Sequence, residues 1–220
     1  MKMFIDSADP AEIKEALSMG VADGVTTNPT LIAKSGVRDL EPRIREIAKL
    51  VSGPVNVEVT AATAEGIVEE GRRFVQWGKN VHVKIPLNRA GLVACSELAR
   101  QGIPSTMTLV FSPGQAILAA RAGAAWICPF VGRLDDVSFD GPELIRTIMA
   151  IYDADPECPT RVLAASVRGP VHVIEAALAG AHAVTVPFSV VRQMEQHPLT
   201  DRGIAQFLAD AAKAPHSTGK

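Results

Sequence analysis

Eight short stretches rich in β-branched and apolar residues recur along the chain: MKMFID, GVTTNP, VNVEVT, VHVKIP, STMTLV, WICPFV, RVLAAS and AVTVPF. Between them lie segments of helical character, among them Thr63 to Gln76, Asn88 to Arg100, Pro113 to Arg121 and Pro170 to Leu178. Several such segments end at a glycine placed as a helix stop, at Gly102, Gly123 and Gly180. Strand, helix, glycine and strand, repeated at intervals of roughly 20 to 30 residues, is the pattern of a parallel sheet. Eight units favour a closed α/β structure, a single (β/α)8 TIM barrel over residues 1–220, rather than an open doubly wound sheet. A further helix is predicted over about 200–213, with Thr200 as N-cap, Leu199 and Ile204 as a staple, and Ile204, Phe207, Leu208 and Ala211 on one face. It would cover its own barrel or a neighbour's, and the tail 215–220 is expected to be flexible.

Alternation along the strands sorts the side chains into two faces. In VHVKIP the valines and Ile85 face the helices, which leaves His82 and Lys84 inward. The same sorting turns inward Phe4 and Asp6, Thr26 and Asn28, Asn56 and Glu58, Thr106 and Thr108, Cys128 and Phe130, and Ala164 and Ser166. Active sites of such barrels form at the C-terminal ends of the strands. Asp6, Asn28, Glu58, Lys84, Thr108 and Ser166 are therefore expected to converge at one mouth. His82 lies deeper and reads as a hydrogen-bonded core histidine.

Composition narrows the function classes. With 22 basic and 24 acidic residues spread along the chain, nothing marks a nucleic-acid-binding or anionic-membrane surface. No run is long enough to span a bilayer, and MKMFIDSADP does not read as a signal peptide. Cys95, Cys128 and Cys158 never form a CxxC, and the histidines lack metal-ligand spacing. A cytoplasmic protein with no metal and no cofactor is expected.

A lysine inside a barrel with two carboxylates has two readings: a buried ion-pair network or a catalytic site. An ordinary lysine, with a pKa near 10.4, is neutral about once in 2500 at pH 7. Burial raises that fraction, and nearby Asp6 and Glu58 would lower it. A neutral amine in a closed pocket attacks a ketone to form a Schiff base, whose protonated form is an electron sink for cleaving an adjacent carbon–carbon bond. Arginines in the loops, Arg133 and Arg168, together with Ser166, suit a phosphate.

VTTNPTLIA, the VKIP lysine, CPFVGRLDD, LAASVRG and the terminal HPLTDRGIAQFLAD together resemble the small transaldolase and fructose-6-phosphate aldolase family of class I aldolase barrels. The resemblance implies Lys84 as the Schiff-base lysine and Asp6 as the acid/base of carbon–carbon cleavage. It implies Glu58 acting through a water positioned by Thr108, Asn28 holding the dihydroxyacetone moiety, and Arg133, Ser166 and Arg168 binding the sugar phosphate. Thr26, Cys128 and Phe130 would complete the substrate pocket. Fructose-6-phosphate aldolases carry Gln and Tyr where this chain has Glu58 and Phe130, which favours the transaldolase side. Cys128 stands where the family more often has Ser, a better hydrogen-bond donor. A homo-oligomer, ring-like as a pentamer or decamer, is implied as well. The alternatives are a lyase releasing free dihydroxyacetone and a barrel that binds a phosphosugar without turning it over.

Overall fold

The structure is a computed structural model and describes residues 1–37 and 39–213. The tail expected to be flexible lies outside the described residues. Eight parallel strands close into a barrel in sequence order: β1 (Lys2–Asp6), β2 (Gly24–Thr26), β3 (Val55–Glu58), β4 (Val81–Pro86), β5 (Ser105–Val110), β6 (Trp126–Pro129), β7 (Arg161–Ala164) and β8 (Ala183–Val186), with β8 pairing back onto β1. Helices follow each strand: α1 (Pro10–Ser18), α2 (Pro29–Lys34), α3 (Leu40–Leu50), α4 (Ala64–Phe74), α5 (Arg89–Arg100), α6 (Pro113–Arg121), α7 (Val131–Asp135), α8 (Gly141–Asp153), α9 (Pro170–Leu178), α10 (Phe188–Glu195) and α11 (Pro198–Lys213).

Local chemistry sets these boundaries. Asp9, Asn28, Asp39, Thr63, Asn88, Ser112 and Asp140 each cap a helix N-terminus by accepting a backbone N–H. The three glycines read as helix stops adopt left-handed φ values of +70°, +84° and +77°, which a side chain would resist. Two units carry a second helix that the sequence pattern did not separate: α2 with α3, and α7 with α8.

The main core lies between the barrel and its helices. There Val81, Val83 and Ile85 of β4 pack with Ile67 and Phe74 of α4 and Leu98 of α5. The barrel interior divides by chemistry. Phe4, Trp126, Cys128, Leu163, Ala165 and Ala183 form an apolar plug contributed by β1 and by the β6–β8 side. On the β1–β5 side the interior is polar: Thr106 donates to Asn56 Oδ1 at 2.5 Å, and Asn56 Nδ2 donates to the Val25 carbonyl at 3.3 Å.

Three expectations are corrected. Ala164 faces the helices, because Leu163 and Ala165 belong to the interior plug and Val162 and Ala164 to the outer core. RVLAAS is apolar on both faces, so its alternation carries no phase. Thr200 lies within α11: the helix begins at Pro198, whose fixed φ suits a first turn, and the His197 carbonyl accepts from the N–H groups of Thr200 and Asp201. No residue of α11 is buried, so this helix does not cover its own barrel. Finally, His82 Nδ1 is buried with no hydrogen-bond partner among the described residues.

Burial holds the His82 imidazole neutral, with its pKa lowered to about 4. The unfolded chain takes up this proton near pH 6.5, so the stability that His82 contributes is complete above that pH and is lost as pH falls toward the folded value. Melting curves at pH 7 and pH 5 should therefore show a larger acid-induced loss for the wild type than for His82→Leu.

Candidate active site

The C-terminal ends of the strands surround a cavity of about 490 Å³. Lys84 enters from β4 and Glu58 from β3, and the parallel register sets the two residues side by side. Lys84 Nζ lies 3.0 Å from Glu58 Oε2 and donates to the Thr27 carbonyl oxygen at 3.1 Å. Lys84 is only 4% exposed, and that small surface opens onto the cavity. Two acceptors occupy two positions around the nitrogen. The remaining position carries the third proton of the ammonium or, after deprotonation, the lone pair of a nucleophile.

Asp6, at the end of β1, completes the charged group. Thr26 Oγ1 donates to Asp6 Oδ1 at 2.7 Å and also lies 2.6 Å from Thr185 Oγ1. Since the Thr26 proton goes to the carboxylate, Thr185 is the donor in the second contact. Burial raises the Asp6 pKa above the usual aspartate value, outweighing the Lys84 charge and the Thr26 hydrogen bond, while the Glu58 charge raises it further. The floor thus places the Lys84 amine beside two carboxyl groups, one of which, Asp6, is pushed by burial toward its protonated form.

The rim is cationic. Arg133 lies over the Phe130 ring, 5.0 Å from its centroid, and Phe130 packs edge-on against Phe111. Arg168 pairs with Asp136 at 2.8 Å. Ser166 sits just past β7 with a left-handed φ of +62°, so its side chain is aimed by the loop rather than by the pleat. Leu109, at a register shift in β5 with φ +61°, also lines the cavity. Such backbone costs about 1 kcal/mol or more per residue, and it is concentrated here around the cavity.

Of the residues picked out from sequence, Asp6, Thr26, Asn28, Glu58, Lys84, Phe130, Arg133, Ser166 and Arg168 line this cavity. Asn28 spends its Oδ1 capping α2 through the Leu31 N–H, which leaves its amide nitrogen for a ligand. Thr108 and Cys128 are buried and do not reach the lining. Thr108 Oγ1 has no hydrogen-bond partner among the described residues. Burial pushes the Cys128 thiol up to about 12, so it is inert. Sequence reasoning missed Thr185, Lys34 and Leu109. The alternation in AVTVPF would have turned Thr185 inward opposite Val184 and Val186, whereas nothing in sequence distinguishes Lys34, in the last turn of α2, from a solvated surface lysine.

Comparison with known proteins agrees with this geometry. A family model described as Transaldolase/Fructose-6-phosphate aldolase matches residues 3–218. The chain belongs to the transaldolase/fructose-6-phosphate aldolase family. It is 52% identical over 215 residues to a probable transaldolase of Anaeromyxobacter sp. (strain Fw109-5), covering 98% of this chain and 99% of the relative. A probable transaldolase of Caldicellulosiruptor saccharolyticus is also 52% identical over 98% of this chain and 99% of its own, and one of Aquifex aeolicus is 51% identical over 98% of each. Among solved structures, dihydrodipicolinate synthase from Rhodopseudomonas palustris shares the barrel fold, with a TM-score of 0.61 at 16% identity over 96% of this chain and 78% of its own.

The buried pair in this family member makes its own prediction. Glu58→Leu leaves an ammonium buried without its carboxylate and should cost about 3 kcal/mol, whereas Lys84→Met with Glu58→Leu should recover most of that loss. Urea denaturation of the single and double variants measures both.

Proposed function

We propose that this protein is a transaldolase, moving a dihydroxyacetone unit from a ketose phosphate to an aldose phosphate through a Schiff base on Lys84. One observation carries the reading: a shielded lysine amine, 3.0 Å from a carboxylate, facing a cavity whose rim holds Lys34, Arg133 and Arg168. The interior supplies a nucleophile with its proton partners, and the rim supplies counter-charges for a phosphate.

The neutral Lys84 amine attacks the ketose carbonyl, and the carbonyl oxygen leaves as water after protonation assisted by Glu58. Thr108, whose buried hydroxyl has no hydrogen-bond partner among the described residues, supports this step through a water. Asp6 takes the proton of the hydroxyl on the fourth carbon. The bond between the third and fourth carbons breaks, its electron pair passes into the iminium, and an aldose phosphate leaves. The remaining enamine adds to the aldehyde of a second aldose phosphate, Asp6 returns its proton, and water hydrolyses the new imine. Asn28 holds the dihydroxyacetone fragment with its free amide nitrogen, while Arg133, Ser166 and Arg168 hold the phosphate.

Phe130 decides transfer over release in this reading, because its ring offers the enamine neither a proton nor a hydrogen bond. Cys128 contributes shape beneath the substrate rather than a strong hydrogen bond. The protein works as a homo-oligomer in the cytoplasm: α9 exposes Val171, Ile174 and Leu178, and α11 exposes Leu199, Ile204, Phe207 and Leu208, apolar faces that a second copy would cover. The ring-like pentamer or decamer of the resembled family is the assembly we expect. The three free cysteines fit a reducing compartment.

Product analysis with fructose 6-phosphate tests the proposal. Sedoheptulose 7-phosphate should form when erythrose 4-phosphate is added, with little dihydroxyacetone released in its absence. Steady release without acceptor would instead make the protein a lyase, and Phe130→Tyr should shift the wild-type balance in that direction. Asp6 adds a pH signature. Because burial raises its pKa, kcat/KM should rise with pH through a value above the ordinary aspartate range. For stability the sign is opposite: the ionised form is disfavoured in the fold, so stability is lost as pH rises from the unfolded toward the folded pKa. Asp6→Asn should therefore abolish turnover yet raise the melting temperature, more at pH 7 than at pH 4.

A further inference from the structure

Arg168 is held at its side chain by the C-terminal end of α7 and at its backbone by the first turn of α9. Its guanidinium meets Asp136 at 2.8 Å, and its backbone N–H donates to His172 Nδ1 at 3.0 Å. The other nitrogen of that imidazole, Nε2, lies 2.7 Å from Asp135 Oδ2, and Asp135 Oδ1 accepts the Gly141 N–H at 2.9 Å. These contacts define the tautomer. Nδ1 accepts, so Nε2 carries the proton and donates it to Asp135. Adjacent carboxylates at the end of α7 thus fix the same residue, one directly and the other through a histidine.

Two further observations make this more than a helix cap. Gly169, at the N-cap of α9, has no side chain to cap with, and His172 in the first turn reaches back past it to Arg168 rather than to a helical N–H. The loop is also pressed against α7: the Gly132 N–H donates to the Ser166 carbonyl at 3.1 Å, and a Cβ on Gly132 would come within 2.2 Å of that oxygen and 2.8 Å of Arg168 Cγ. Ser166, whose φ is +62°, and Arg168 both lie on the stretch clamped in this way. Left to itself, such a loop would relax and carry the guanidinium away from the rim.

We propose that His172, oriented by Asp135, is a positioning residue that presets Arg168 and Ser166 to receive the anionic group of the substrate. The inference rests on the sugar-phosphate reading above. His172 touches no substrate; it supplies the acceptor that fixes the Arg168 backbone, so a ligand need not spend binding energy on ordering the loop. The effect belongs to phosphate affinity and not to the chemistry at Lys84.

Two variants separate the nitrogens. His172→Asn keeps an acceptor near the Nδ1 position, whereas His172→Gln keeps a donor near Nε2 but loses that acceptor. For the full-length protein, the inhibition constant of inorganic phosphate and the KM and kcat for fructose 6-phosphate should be measured, with melting temperature as the check on folding. His172→Gln should raise KM and the phosphate inhibition constant together, by about tenfold, with kcat within about twofold, since one lost hydrogen bond is worth about that factor. His172→Asn should lose about threefold or less. Wild-type values of KM and inhibition constant in His172→Gln, with phosphate still competing in the wild type and weakened by Arg168→Gln, would overturn this inference alone. Loss confined to kcat, or to melting temperature, would overturn it as well. If phosphate does not compete in the wild type and Arg168→Gln leaves KM unchanged, the sugar-phosphate reading falls and the inference with it.

Discussion

The ion pair between Lys84 and Glu58 is the constraint on which the site depends. Withdrawing an ammonium from water costs several kcal/mol, and only well-placed partners offset that. Here the offset comes from Glu58 at 3.0 Å and the Thr27 carbonyl at 3.1 Å. Both partners are fixed by barrel register, because Glu58 stands opposite Lys84 in the β3–β4 ladder and β2 delivers Thr27. A slip of one residue would turn the lysine among the helices and bring Val83 or Ile85 inward. The eight-strand closure and the outer apolar core are therefore what hold the Lys84 nitrogen in place.

The division of the interior follows from the same constraint. Polar groups from β1 to β5 surround the charges, and the plug of Phe4, Trp126, Cys128 and Leu163 closes the opposite side. The plug keeps bulk water away and strengthens each interaction near Lys84. Above it, the rim has the opposite character, exposed and cationic. In the proposed reaction a phosphorylated sugar would span the two zones, with its carbonyl low by the lysine and its phosphate high by the arginines. Asp135 and Asp136, although both negative, serve that cationic rim by holding His172 and Arg168 in place.

Much of this was legible in the sequence, and the reasons differ from residue to residue. Gly102, Gly123 and Gly180 marked helix ends because left-handed backbone favours glycine, and all three adopt it. Lys84 and Glu58 were placed by alternation, which holds wherever one face of a strand is apolar. The method failed where that contrast vanished: RVLAAS is apolar on both faces, so Ala164 was placed inward. Ser166 does line the cavity as expected, but it owes that position to a left-handed turn that alternation does not describe. Thr108 and Cys128 have the expected direction, but their depth below the cavity depends on barrel stagger, which no single strand reveals. The link from His172 to Arg168 joins residues four apart, yet its meaning appears only when α7 brings Asp135 alongside.

The central claim is that Lys84 Nζ forms a covalent bond to a ketose, and reductive trapping tests it most directly. Incubation with fructose 6-phosphate and borohydride, followed by peptide mass mapping, should place a reduced adduct on the peptide carrying Lys84 and destroy activity in proportion to labelling. Full activity surviving alongside unmodified Lys84 would contradict the account and leave the buried lysine as a counter-ion.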